Sequence, residues 1–474
     1  MKNLLFINMP SAFTAYKGTR LNAGMQVYPL LSFTSIGATL KRRGFDVAVL
    51  DLGIEDEPYK VLDRALEELK PQVVGFTSTT PLYFEAKEIS KIVRKKLGRE
   101  TRIIYGGPHA TALPDDSLRD TEVDVVVTSE GEETMAELME GQPLADTKGI
   151  YYKDNGQIKS TPPRPPIKDI DTLPFPALEL YDLKRYRCPK FLSKGTPTVN
   201  METSRGCPCA CTFCNKNISG RPFRKKSPDR VVEEIKYTLR LGAGEIRIID
   251  DQFATDLERA KLICEKILQA GIKFPWNLGN GVRVDRVDEE FLTLAKRAGC
   301  YQVGIGFESG DQASLDSIRK GIKLEESIRC MELIKKVGLE SVGFFMLGLP
   351  EDTEESLKKT IDFAIKLMPD YAKVTITIPF PGTELFEEYE KKGLIKSHDW
   401  TQYNLHRAGE IYKHPNLSHE TLKRYYNTFY WRYYLHPRFL ARRIVRSLSE
   451  GTVLLDIYYG LQTFFPGLFP ARPS

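Results

Sequence analysis

The sequence predicts an α/β fold in three consecutive parts: a parallel sheet with helices on both faces, a partial (β/α)6 barrel, and a helical C-terminal region. Three observations carry that expectation. Short apolar, β-rich runs alternate with helical patterns over residues 1–145. After a proline-rich stretch the alternation resumes for six rounds over 196–390, and from 391 onward it gives way to aromatic and basic helical patterns. With 474 residues the chain has length enough for two or three domains, each with its own core.

In the first part, "LLFINM", "DVAVLDL", "VVGFTS", "RIIYGG" and "VDVVVTSEG" read as strands, with helical patterns such as "LLSFTSIGATLKRRG" and "YFEAKEISKIVRKKLG" between them. Strands joined through helices run parallel, because a crossover returns the chain to the same end of the sheet. Such sheets bind ligands beyond the carboxyl ends of their strands. Three small polar loops stand there: Thr77-Ser78-Thr79-Thr80, Gly106-Gly107-Pro108-His109 and Ser129-Glu130-Gly131-Glu132.

Residues 146–195 read as a linker, since the prolines of "STPPRPPIKDIDTLPFP" exclude a regular helix or central strand. The next strands are "TVNMETS", "EIRIID", "WNLGNG", "QVGIGFES", "VGFFMLG" and "AKVTITIPF". Barrel active sites lie at the carboxyl ends of strands, which puts a cysteine-rich loop at the mouth of the first of these six. In the tail, residues 391–474, Leu440, Ile444 and Leu448 share one helical face. Arg442, Arg443 and Arg446 lie off that face and are expected, with Arg432, to be exposed.

Composition excludes several classes. The net charge of +5 comes from Lys and Arg interleaved with Asp and Glu, so no nucleic-acid partner is expected. No apolar run reaches the roughly 18–20 residues that span a bilayer, and "MKNLLFINMP" lacks a cleavage site, so a cytoplasmic location is expected. In that reducing setting clustered thiols serve metal or redox chemistry more often than disulfides. Of the eight cysteines, Cys264, Cys300 and Cys330 lie in apolar or helical settings and read as packing residues. Cys207, Cys209, Cys211 and Cys214 crowd into "TSRGCPCACTFCNK". A structural zinc site commonly uses a second, separated Cys pair, and none follows at that spacing. The pattern Cys207-x-x-x-Cys211-x-x-Cys214 can hold three irons of a cubane and leave the fourth open to a substrate or cofactor.

That loop, with Arg205-Gly206 before it and Phe213 directly before the last cysteine, resembles the cluster loop of radical S-adenosylmethionine (SAM) enzymes. "GIGFESGDQASLDSIRKG", "FFMLGLPEDTEES", "TIPFPGTELF" and "IIDDQFAT" are similar to strand ends of the same family. The first part resembles the Rossmann-like cobalamin-binding domain of its cobalamin-dependent members. What the resemblance implies is a [4Fe–4S] cluster on Cys207, Cys211 and Cys214, with Cys209 a bystander. It further implies SAM contacts at Phe213, Asp250, Glu308 and Ser309, and cobalamin contacts at Thr77, Ser78, Thr79, Gly106, Gly107, Glu130 and Gly131. Asp250 and Asp251 fit an ordinary helix N-cap equally well. The segment Asp51-Leu52-Gly53-Ile54-Glu55 lacks the axial His of cobalamin-dependent mutases, and His109 follows another strand. The implied cobalamin therefore has no protein His on cobalt.

The reaction implied by the resemblance is C-methylation of an unactivated carbon, through a 5′-deoxyadenosyl radical and methylcobalamin. An external one-electron donor of flavodoxin or ferredoxin type would be needed. Relatives with the same two domains instead form or rearrange rings or oxidise their substrates, and an empty first domain is a further alternative. A methylthiotransferase is disfavoured because residues 1–187 contain no cysteine. The aromatic, arginine-rich tail suits a lipophilic small-molecule substrate, isoprenoid or tetrapyrrole-like, or peripheral contact with a membrane surface.

Overall fold

A computed structural model describes residues 3–10, 27–186, 188, 193–404, 407–408 and 410–464. Its first sheet contains β1 (Asn3–Asn8), β2 (Asp46–Asp51), β3 (Val73–Thr77), β4 (Arg102–Gly106) and β5 (Val125–Val127), all parallel, in the order β2-β1-β3-β4-β5. Strand parity sends Leu5, Ile7, Val74 and Phe76 into the core on one face, and Leu4, Phe6, Val73 and Ile104 into the core on the other. Both faces are covered by helices, among them Leu31–Arg42, Pro58–Leu69, Tyr83–Leu97 and Glu132–Glu140. The strand order reverses between β1 and β3, so a crevice opens beyond their carboxyl ends.

The sheet does not stop at residue 145. Two antiparallel strands, β6 (Ile150–Asp154) and β7 (Gln157–Ser160), extend it beside β5, which corrects the expected linker boundary. Asn155 and Gly156, both with positive φ, make the turn between them; Asn-Gly is a strong local hairpin signal because that turn matches the twist of the strands. The stretch from Thr161 to Tyr186 is irregular, as its prolines require. Residues 187 and 189–192 of the expected linker lie outside the described residues.

The second sheet starts with β8 (Thr198–Met201), followed by a short antiparallel ribbon of β9 (Ser204–Arg205) and β10 (Arg224–Lys225). It continues with β11 (Glu245–Ile248), β12 (Trp276–Val282), β13 (Cys300–Glu308), β14 (Glu340–Leu347) and β15 (Tyr371–Ile376). These six strands are parallel in the order β15-β14-β13-β12-β11-β8, a partial barrel wound in sequence order. Ile246, Ile248, Trp276, Leu278, Val303, Ile305, Phe345 and Val374 face outward into the core beneath the surrounding helices, together with Cys264, Cys300 and Cys330. Ile378, Leu385, Phe386 and Trp400 from beyond the last strand join the core of the first domain and bind the two units together.

Three helices close the described chain: His419–Tyr434, Pro437–Glu450 and Val453–Phe464. The first packs Tyr425, Phe429, Tyr430 and Tyr433 into the barrel core. In the second, the Arg442 side chain stays 44% exposed, as expected, whereas Arg443 and Arg446 turn toward the protein at 16% and 20%, contrary to the exposed face expected of them. Arg442 donates to Met368 O (2.7 Å) and Asp370 Oδ1 (2.8 Å); Arg443 donates to Tyr371 Oη (2.7 Å) and pairs with Asp456; Arg446 pairs with Glu340 and Glu450. Arg432 pairs with Asp362 at 2.9 Å. The reason is geometric: carboxylates at the amino ends of β14 and β15 draw the guanidinium groups inward, which rolls the apolar stripe of the helix outward. Ile444 and Leu448 are accordingly 59% and 68% exposed. Residues 465–474 lie outside the described residues, and no helix among those described is long and apolar enough to cross a membrane.

Candidate active site

The cysteine loop follows β9 at the carboxyl end of the first barrel strand. Cys207 N donates to Gly220 O (3.3 Å), Thr212 N donates to Ile318 O (3.1 Å) and Leu385 N donates to Thr212 O (3.0 Å), so backbone from three directions holds the loop. Among the described residues no three His, Cys, Asp or Glu side chains converge tightly enough to enclose a single metal ion. A cubane needs its three thiolates spread wider than the ligands of one ion. The loop fits that need electrostatically. Cys207 senses the charge of Cys214, and Cys214 that of Cys211. Lys216 donates to Cys211 O at 3.2 Å, and Arg283 and Lys320 both respond to the Cys211 thiol. Three cations around clustered thiolates favour an anionic cluster.

Cys209 also stands in this group. A hydrogen bond from Cys207, with the charges of Arg283 and Lys320 behind it, lowers the Cys209 thiol to about 6 against the cost of burial. Its closeness to Cys207 was not visible from the spacing. Phe213 packs against the core shared by the first domain and the chain beyond β15, where it anchors the loop.

Glu308 closes β13 with φ +61°, a left-handed conformation that is rare for a residue with a side chain and tends to be retained where a site requires it. Its carboxylate accepts from Lys320 Nζ at 2.6 Å. Burial works against the Lys320 ammonium, but Glu308 and the neighbouring Cys211 outweigh it and hold its pKa above the usual value. Glu308 thus belongs to the environment of the cysteine loop.

Two expected SAM contacts turn inward instead. Asp250 is buried and accepts from Thr203 N (2.6 Å), Thr203 Oγ1 (2.5 Å) and Ser204 Oγ (2.6 Å), which fixes the corner between β8 and β9. Burial pushes its carboxyl up, and these donors only partly offset that. The adjacent Asp251 is the one that reaches the loop, accepting from Gly206 N at 2.8 Å. Ser309 shares a hydrogen bond with Thr360 Oγ1 (3.0 Å) and accepts from Asp311 N (3.1 Å), so it shapes the turn after β13.

Beyond the first sheet lies a cavity of about 230 Å³. Phe6, Phe33, Ile36 and Met135 form apolar walls, and Thr77, Gly106, Gly107, Glu130 and Gly131 line it as well. Gly107 has φ +92°, and a Cβ there would lie 1.9 Å from Thr77 Oγ1, so the close passage of the two loops needs glycine. Ser78 and Thr79 stay out of the lining: Ser78 is buried against Tyr105 Oη (2.5 Å), and Thr79 is exposed. His109 is fully buried between Tyr83 and Trp400, and burial pushes its imidazole down to about 3. It is a neutral core residue.

Glu130 differs most from expectation. Rather than facing a ligand with free oxygens, its carboxylate accepts from Ile167 N (2.7 Å), Arg224 (2.7 Å) and Arg205 (3.1 Å). Arg205 also donates to Glu132 (2.7 Å) and Glu202 (2.7 Å), and Glu132 accepts from Ser35 Oγ (2.6 Å). Burial opposes the charge on Glu132, and the Arg205 guanidinium outweighs it, holding the carboxyl below its ordinary range. Arg205, Glu130 and Glu132 are each about 5–8% exposed. A buried ion network therefore ties the rim of the first-domain cavity to the residue two positions before Cys207. Sequence reading singled out both loops but not their pairing, because the partners stand 73 and 75 residues apart.

Comparison with known proteins agrees with this architecture. Residues 17–139 match the B12 binding domain, and residues 201–364 match the radical SAM superfamily. An uncharacterized methyltransferase of Pyrococcus horikoshii, PH0819, is 33% identical over 436 residues, covering 89% of this chain and 92% of the relative. The anaerobic magnesium-protoporphyrin IX monomethyl ester cyclase of Rubrivivax gelatinosus is 28% identical over 459 residues, 94% of this chain and 78% of the relative. Among solved structures, the cobalamin-dependent SAM radical enzyme OxsB with aqua-cobalamin bound superposes with a TM-score of 0.72 at 19% identity, covering 91% of this chain and 67% of that one, a likeness of fold. The chain belongs to the cobalamin-dependent radical SAM enzymes, whose cofactors are a [4Fe–4S] cluster, S-adenosylmethionine and cobalamin.

Proposed function

We propose that the chain is a C-methyltransferase acting on an unactivated carbon of a lipophilic small molecule, isoprenoid or tetrapyrrole-like. The observation that carries this reading is the Glu130–Arg205–Glu132 network, which fastens the cavity of the first domain to the cysteine loop, so that two cofactors would face one space. Cys207, Cys211 and Cys214 would hold the cluster, with Glu308 beside SAM. The cavity lined by Thr77, Gly106, Gly107 and Gly131 would hold part of the cobalamin, and His109, buried between Tyr83 and Trp400, would not reach it. When bound, these cofactors supply hydrogen abstraction from carbon and a transferable methyl group. The chain's own part is to orient them and exclude water: Lys216, Arg283 and Lys320 balance the cluster's charge, and the Arg205 network fixes the two domains in register. The β6–β7 hairpin would extend the first domain to Ser160, with the barrel over 196–390 and the helical region from 391 onward.

Ring formation is the second reading, favoured by the resemblance to the cyclase along 94% of the chain. Either reaction would draw single electrons from a flavodoxin- or ferredoxin-type donor in the cytoplasm. Peripheral membrane contact would run through the tail, and through its apolar stripe rather than its arginines: among the described residues, eleven of the sixteen exposed large hydrophobic residues lie between Trp431 and Leu461. The deciding experiment is anaerobic reconstitution with iron, sulfide and cobalamin, then incubation with methyl-deuterated SAM and lipid or pigment extracts. Product heavier by one deuterated methyl group supports methylation. Product lighter by two hydrogens with no label would replace it with cyclisation or oxidation.

A further inference from the structure

The barrel interior carries two cations that the cysteine loop does not use. On β11, Ile246 and Ile248 pack outward, so Glu245 and Arg247 project into the lumen. On β15, Ala372, Val374 and Ile376 pack outward, so Tyr371, Lys373 and Thr375 project inward. Lys373 is the register neighbour of Phe344, which pairs in turn with Gly306, one inward position below Glu308. Strands enclose Lys373, yet its side chain remains open to water, as expected of a group reaching into a lumen. It has no hydrogen-bond or ion-pair partner among the described residues. The enclosure pushes its ammonium down to about 8, and the nearby Arg247 charge adds to that.

Arg247 has no carboxylate partner among the described residues either. It donates to Tyr28 Oη (3.1 Å) and Gly279 O (3.2 Å), both neutral, and lies over the Tyr28 ring. Its approach depends on glycine, since a Cβ at position 279 would fall 1.8 Å from Arg247 Nε. Asn200, the register partner of Arg247 on β8, has a buried Oδ1 with no partner among the described residues. Glu245, the carboxylate closest to Arg247 along β11, is already engaged by neutral donors: Asn277 Nδ2 (2.8 Å), Tyr301 Oη (2.8 Å), Ser193 Oγ (2.9 Å) and the backbone N–H groups of Lys194 (2.7 Å) and Gly195 (3.0 Å). Arg247 and Lys373 thus face one lumen with no carboxylate paired to either among the described residues, and an anion bound there would supply the missing counter-charge.

We propose that Arg247 and Lys373 form the anion-binding end of the substrate site, taking the carboxylate or phosphate of an amphipathic substrate whose apolar body extends toward the cysteine loop. This rests on the reading of the barrel as a substrate chamber but not on which reaction occurs there.

The test is binding of twelve-carbon probes to the full chain by calorimetry, below their micelle concentrations: dodecanoate, dodecyl phosphate and neutral dodecanol. Wild type should bind one anion at least about ten-fold more tightly than dodecanol, and the tighter anion identifies carboxylate or phosphate. Lys373→Met and Arg247→Met should each lower anion affinity about ten-fold with dodecanol affinity held within about two-fold, and Lys373→Arg should restore most of the loss. Retained dodecanol binding shows that the variants fold. SAM binding to the reconstituted variants should match wild type. Absence of an anion preference, its persistence in both Met variants, or loss of SAM binding in either would overturn the assignment. Turnover is not needed, so a failed methylation assay would leave this result separate.

Discussion

Arginine does opposite things at the two ends of the barrel. Beside the cysteine loop, Arg205 is buried with carboxylates from both domains and acts as a joint between them. In the helix Pro437–Glu450, arginines of the same charge clip the helix to the edge of the barrel at part-exposed positions and leave its apolar side chains bare. Charge density along the chain looks alike in the two regions, but the partners differ, and partners decide what a cation does. Removing a buried one leaves carboxylates without compensation in a low-dielectric site, whereas removing a half-exposed one leaves groups that water can reach.

The loop end should be the more fragile. Replacing Cys211 with Ala should abolish SAM cleavage, while Cys209→Ala should keep about four irons per chain after anaerobic reconstitution. Iron analysis and 5′-deoxyadenosine release check both, and SAM cleavage by Cys211→Ala at the wild-type rate would sink the ligand assignment. Next in size is Arg205→Met, expected to destabilise the chain by about 3–5 kcal/mol in denaturant titrations, because it leaves the buried Glu132 without a cation while Glu130 keeps Arg224. A loss under about 1 kcal/mol would mean that the joint is not fully desolvated.

At the tail the effects should be smaller and of another kind. The double change Ile444→Asp and Leu448→Asp should weaken binding to lipid vesicles about ten-fold, since it places charge on the bare stripe, with little change in stability. Vesicle sedimentation that does not distinguish the variant from wild type would remove the proposed membrane role. Smallest of all should be Arg442→Gln, at about 0–1 kcal/mol of stability, because the Arg442 side chain is 44% exposed and its Asp370 pair is screened. A loss of vesicle binding by this variant, with its fold intact, would restore the arginines as the lipid contact and reverse the comparison.

By itself the sequence determined the two parallel sheets, the six barrel strands and the cysteine triplet, because these depend on short-range periodicity and spacing. The hairpin of β6 and β7 was legible too, in Asn155-Gly156, but the prolines nearby drew the reading toward a linker. Placement at the site was not legible to the same degree. Asp250 and Asp251 are neighbours of identical chemistry, and only the fold turns one into the corner at Thr203 and the other toward Gly206. Glu130 was expected at a ligand, and only the meeting of the two domains hands it to Arg205 and Arg224. That Arg247 and Lys373, on the second and last barrel strands, face one lumen likewise follows only once the sheet has curled. Periodicity says which way a side chain points from its own strand or helix. What it meets there is set by segments tens or hundreds of residues away, and that is the part tertiary structure alone decided.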